Sequence, residues 1–93
     1  MALFDDVKTA LRVTNTNSGL NSEVVDLINA AKRDLVIAGI KVTDDTDPLI
    51  KRAIITYCKA YFGYDNPDAD RLIKAYDMLK MHLMLSTEYN SEA

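Results

Sequence analysis

With 93 residues the chain is long enough for one domain, 1–93, and too short for a large buried core. A composition of 48% hydrophobic and 27% charged residues excludes a disordered chain, and a net charge of −3 argues against a nucleic-acid binder that works by bulk electrostatics. The single cysteine, Cys58, excludes an intrachain disulfide. The start, MALFDDVK, lacks the basic region and apolar run of a signal peptide, and no apolar run approaches the roughly 20 residues of a membrane span. These features lead us to expect a soluble intracellular protein.

The first predicted helix covers residues 3–13. Phe4, Val7 and Leu11 form its buried stripe, with Leu3 and Ala10 beside it. Asp5 and Asp6 in its first turn and Arg12 in its last suit the helix dipole. TNTNSG, residues 14–19, is a turn-rich break. Asn21 or Ser22 then caps a second helix over residues 22–38, whose stripe is Val24, Ile28, Ala31, Leu35 and Ala38. Asp26, Asn29 and Arg33 face away from that stripe. Gly39 suits the left-handed position that ends a helix, and Ile40 can fold back onto the last turn. IKVTDDT, residues 40–46, is strand-like but too short and isolated for a sheet. It is expected to be an extended connector, with pairing to a neighbouring subunit as the alternative.

The third helix, residues 48–63, is the one around which the others should pack. Asp47 caps it and Pro48 takes the first helical position, where no N–H is needed. Ile50, Ala53, Ile54, Tyr57, Cys58 and Tyr61 recur at helical spacing, and Leu49, Ala60 and Phe62 widen the apolar face. Arg52, Thr56 and Lys59 mark its solvent stripe, and Ile55 lies on the wet side between Lys51 and Lys59. The fourth helix, residues 67–86, begins with Asn66 as cap and Pro67 at its first position. Ala69, Leu72, Ile73, Tyr76, Leu79 and Leu83 form its buried stripe. Lys74 is expected to pair with Asp70 and Asp77, each pair worth roughly a few tenths of a kcal/mol. Residues 87–93 are expected to form a flexible polar tail. The fold class is therefore all-α, a small four-helix bundle-like domain with short loops.

Side chains that carry chemistry are sparse. His82, the only histidine, has Asp77 as its nearest acid, five positions back and poorly aligned, so it is expected to be an exposed structural residue. Cys58 lies on the buried face of its helix, away from Lys51 and Lys59, and fits core packing better than a reactive thiolate. Asp44, Asp45 and Asp47 cluster in one loop and Asp65, Asp68 and Asp70 in another. Neither loop has the glycine and terminal glutamate of a calcium-binding loop; for a loop starting at Asp65, Tyr76 stands where that glutamate would be. Tyr57, Tyr61, Phe62, Tyr64 and Tyr76 could stack on bases, but their helical spacing fits core and interface positions better. With glycine only at positions 19, 39 and 63, there is no phosphate-binding loop and no nucleophile elbow. We expect no enzyme activity, catalytic residue, metal, cofactor or small-molecule substrate.

One apolar set has no place in the core pattern. Met78, Met81 and Leu85 run along the flank of the fourth helix, with Met84 beside them and Ile55 on the preceding helix. Single exposed apolar residues are normal, but as a set on two consecutive helices these hint at an interface, where methionines would allow adaptable packing. Ile55, Met78, Met81 and Leu85 are therefore the expected subunit-contact residues.

The opening FDDVKTALRV, a polar turn and then SEVVDLINAAKRDL resemble the start of the phage head–tail connector family, the small helical adaptors also described as DNA-packaging or head-completion proteins. The later DPLIKRAIITYCKAYFGYDNPDADRLIKAYDMLKMHLMLSTEY resembles the second half of members from Gram-positive phages and prophages. The resemblance lies in helical pattern and order and includes no catalytic motif. It implies a virion protein of the neck, present in the host cytoplasm during assembly, that forms a homo-oligomeric ring matching the portal's symmetry. Its implied partners are the portal, the next head-completion or tail protein, and genome DNA passing through without sequence-specific binding or any membrane. The short link between the second and third helices and the near absence of a C-terminal extension depart from larger relatives, so no portal-contact residue is assigned.

Two further readings remain. In a small helical DNA-binding regulator or packaging accessory, Lys32, Arg33, Lys51 and Arg52 would contact phosphates, although the third helix exposes few base-reaching side chains. An adaptor that folds as a simple dimer is the other.

Overall fold

The computed structural model describes residues 3–11, 18–41, 44, 46–62 and 66–90. It contains α1 (Leu3–Leu11), α2 (Ser18–Ile37), α3 (Pro48–Tyr61), α4 (Ala69–Leu85) and a single turn, α5 (Thr87–Asn90). No described residue is in a strand. The all-α, bundle-like architecture expected from the helical spacing is the one observed.

The helix α3 is the hub. It packs against α1, α2 and α4, while α5 rests on α4. Its start follows from two residues: Asp47 has extended backbone angles and its Oδ1 accepts the N–H groups of Leu49 (2.9 Å) and Ile50 (3.3 Å), and Pro48 follows at the first position. Ile50, Ala53, Ile54 and Cys58 are fully buried. They meet Val7 of α1, Val24, Ala31 and Leu35 of α2, and Tyr76 and Leu83 of α4 in one core. Leu49 and Tyr61, expected on the apolar face, are instead about half exposed because they lie at its edges, beyond the reach of neighbouring helices. Residue Gly63, expected within this helix, lies outside the described residues, as do Arg12 and Val13 of the first.

The end of α2 is built as its glycine implies. Gly39 has φ +97°, its N–H donates to the Val36 carbonyl (3.0 Å), and the Ile40 N–H donates to the Leu35 carbonyl (3.1 Å). Ile40 is buried with Leu35, supplying the apolar contact of this motif. A Cβ at position 39 would meet no atom within 4 Å, so only backbone preference demands glycine there.

Two helix starts differ from the expected ones. Helix α2 begins at Ser18, so Asn21 and Ser22 lie inside it and cap nothing. The first N–H groups of a helix lack internal partners in any case, so a start rich in weak helix formers costs little while half-burying Leu20. Helix α4 begins at Ala69 rather than Pro67. The Asn66 side chain accepts the Asp68 N–H (3.0 Å) and donates its Nδ2 hydrogen to the Lys59 carbonyl (2.7 Å), so it closes the turn and the end of α3. On the surface of α4, Asp77 pairs with Lys80 and Asp68 with Arg71 rather than either expected pair with Lys74.

The tail is the largest departure. Thr87–Asn90, assigned to a flexible polar segment, form the helical turn α5, and Tyr89 is buried in the core cluster. The Tyr89 hydroxyl donates to the Asp47 carboxylate, 2.9 Å from Oδ1 and 3.0 Å from Oδ2. The Lys41 N–H donates to the Tyr89 carbonyl at 2.7 Å. The cap of α3 thus also anchors α5. Residues 91–93 lie outside the described set. So do 42, 43 and 45, on which the expectation of an extended connector partly rests.

Candidate subunit-contact surface

Side chains on α4 divide sharply by their angle around the helix. Tyr76 and Leu83 point into the core; Met78, Met81 and Leu85 fall on the opposite arc and are 71%, 59% and 82% exposed. They form a ridge of three long apolar side chains in water, with Met84 beside it at 39%. This is the arrangement the spacing implies for three of the four expected contact residues. Ile55 does not join them as an open surface residue. It is half-buried and packs against the core cluster. One turn earlier on α3, Lys51 Nζ lies 3.0 Å from Asp6 Oδ2 of α1. That carboxylate oxygen is shut off from solvent, and the Lys51 ammonium compensates it. A substitution at Ile55 therefore disturbs folding as well as any contact.

Between them α1 and α2 leave a groove of about 360 Å³ lined by Leu3, Phe4, Val25, Ile28, Asn29 and Lys32. Lys8 sits at its α1 edge, with its ammonium 5.4 Å from the centre of the Phe4 ring. Sequence spacing marks Val25 only as a residue outside the α2 stripe. The groove arises from the way two helices meet, which no local pattern encodes.

Between α2 and α4 lies a polar cluster missed at the sequence level. Asp34 Oδ2 accepts the Tyr76 hydroxyl (2.6 Å) and the Lys80 ammonium (3.0 Å). Lys80 also lies 5.1 Å from the centre of the Tyr76 ring, and Tyr76 meets Tyr57 edge-on at 5.2 Å. Partial burial opposes the Asp34 charge, but Tyr76 and Lys80 outweigh it and hold the Asp34 pKa below its ordinary 3.8. Burial first, and then donation to Asp34, push the Tyr76 phenol well above its usual range. The only sequence clue was Tyr76 and Lys80 one helical turn apart. The folded pKa of Asp34 is depressed, so its stabilisation is present above pH 3.8 and is lost as pH falls through the lower folded value. Asp34→Asn should therefore be less stable than the parent at pH 7, with the gap narrowing below pH 4. Urea unfolding at pH 7 and pH 3 checks this; an equal gap at both pH values would assign the effect to packing.

The residues weighed for chemistry are placed elsewhere. Burial raises the Cys58 thiol to about 12, far from a reactive thiolate. His82 is exposed on α4. Asp44 Oδ1 accepts the Thr46 N–H (3.0 Å) and hydroxyl (2.8 Å), and these two bonds lower its pKa, while Asp47 is engaged as a cap. Among the described residues no three His, Cys, Asp or Glu side chains are grouped as metal ligands, although Asp45 and Asp65 lie outside that set. Of the basic residues considered for phosphate contact, Lys51 is tied to Asp6, while Arg33 and Arg52 are exposed on separate helices. No helix among the described residues is long and apolar enough to cross a membrane.

Searches of curated proteins and of solved structures give no match. A protein-family model described as phage connector protein matches residues 3–90, which takes in all five helices and both apolar surfaces. The chain belongs to this family of phage connector proteins.

Proposed function

We propose that this protein is a structural connector that assembles as a ring below the phage portal, extends the DNA channel and docks the next neck or tail component. The observation that carries this reading is the family match over residues 3–90, and the solvent-exposed ridge of α4 supports it. Met78, Met81 and Leu85 are the residues best placed for contact between subunits, with Ile55 in a supporting position behind the surface. An acidic balance suits a channel that must let DNA slide, because a lining that does not grip phosphates sets no electrostatic brake. The role is mechanical and needs no catalytic group or cofactor. The protein would act in the virion neck after assembly in the host cytoplasm.

Light scattering over a concentration series, with the chain alone and with its cognate portal, tests the proposal. A ring, or a monomer recruited onto the portal, supports it. A species that ignores the portal but retards duplex DNA in a salt-dependent manner would move the assignment to the DNA-binding regulator.

A further inference from the structure

Helix α2 stops at a local signal, Gly39, and α4 has no such signal. It ends at Leu85 because Ser86 turns to extended backbone (φ −88°, ψ 123°), and α5 resumes at the next residue. No glycine or proline follows Pro67, and none of residues 86–90 is a helix breaker. All of them except Ser86 are already helical. The break is therefore imposed from outside the segment. Tyr89 imposes it: the side chain is buried in the core, its hydroxyl donates to the Asp47 carboxylate, and its carbonyl accepts the Lys41 N–H. In an unbroken helix Tyr89 would stand about 20° from Met78 and about 40° from Leu85 around the axis, but about 140° from Tyr76. A straight α4 thus carries Tyr89 out of the core and onto the arc of Met78, Met81 and Leu85, so the two positions exclude each other. Residues 87–90 would then donate to the carbonyls four residues back, which offsets part of what the core loses.

We propose that α5 is a strap with two positions: closed, Tyr89 in the core holds α4 short at Leu85; open, residues 86–90 continue α4 and set Tyr89 on the ridge beside Met78 and Leu85. The closed strap withholds an aromatic ring from the surface of α4. Opening it also undoes the two ties that α5 makes to the link between α2 and α3, at Lys41 and Asp47. The switch belongs to the single chain and does not depend on the connector reading.

Tyr89→Ala removes the anchor, and backbone Cα chemical shifts from NMR read the result residue by residue. In the parent, Ser86 should interrupt two helical runs. In Tyr89→Ala the helical run of α4 should pass through Ser86 without a gap and reach residue 90, and the Lys41 amide should exchange with solvent about tenfold faster. Residues 86–90 that turn to coil would show that α4 ends by itself and would overturn the proposal. A gap that persists at Ser86 would overturn it too. If Tyr89→Ala does not fold, Ser86→Ala decides, since it keeps the anchor and favours the straight form. It should speed Lys41 amide exchange about twofold, in line with the helix propensities of serine and alanine, while the Ile54 amide in the middle of α3 is unchanged. Lys41 exchange that is equal to the parent's or slower would mean that no straight form is in equilibrium with the closed strap, and the proposal would fall.

Discussion

Truncating Ile54 to alanine should destabilise the protein by about 3 kcal/mol and lower its melting temperature by roughly 10–20 °C. Ile54 is fully buried in the helix that touches α1, α2 and α4, so the cavity left behind has walls from several elements and cannot collapse by moving one of them. A chain of this size has a total stability of only about 5–14 kcal/mol, so the loss is a large fraction of the whole. Met78→Ala provides the contrast. Its side chain is 71% exposed, and its removal should change stability by less than about 0.5 kcal/mol. Thermal unfolding of the two variants reads both effects. Equal melting temperatures would mean that α3 is not the centre of the core.

Tyr89→Ala should produce a fall in melting temperature of the same class, although it changes a residue in a segment that looks dispensable. The ring fills part of the core, and its hydroxyl holds the carboxylate that caps α3. Losing the ring opens a cavity and releases α5, and with it the bond from the Lys41 N–H. Tyr89→Phe separates the two contributions: it keeps the ring and removes only the hydroxyl, so its melting temperature should fall between those of the parent and Tyr89→Ala. If Tyr89→Ala melts with the parent, α5 contributes nothing to the fold and the tail expectation was the better one.

The sequence was most informative where one residue determines one local feature. Asp47–Pro48 specified the start of α3, and Gly39 specified the end of α2, because capping depends on the few residues at the terminus itself. The stripes of α2 and α4 were legible from periodicity, and so was the ridge, since residues opposite Tyr76 and Leu83 can only face outward. Failures came where a partner lies far along the chain. Tyr89 and Asp47 are 42 residues apart, as are Tyr76 and Asp34. TEYN is too short to show a period, and its one clue was an aromatic ring in an otherwise polar segment. Spacing within α3 alone puts Ile55 on the wet side, whereas its packing against the core depends on how α3 meets the other helices. The groove was invisible for the same reason, being a property of two helices together.

The ridge also decides where this molecule is chemically vulnerable. The thioethers of Met78 and Met81 stand open to solvent, whereas the Cys58 sulfur is sealed in the core with its proton held on. Mild oxidants will reach the methionines first and convert them to polar, chiral sulfoxides. Such damage would leave the fold standing but spoil the surface that we assign to neighbouring copies. On that assignment, copies would be most exposed to oxidative loss before assembly, and each contact made would shield the sulfur that makes it.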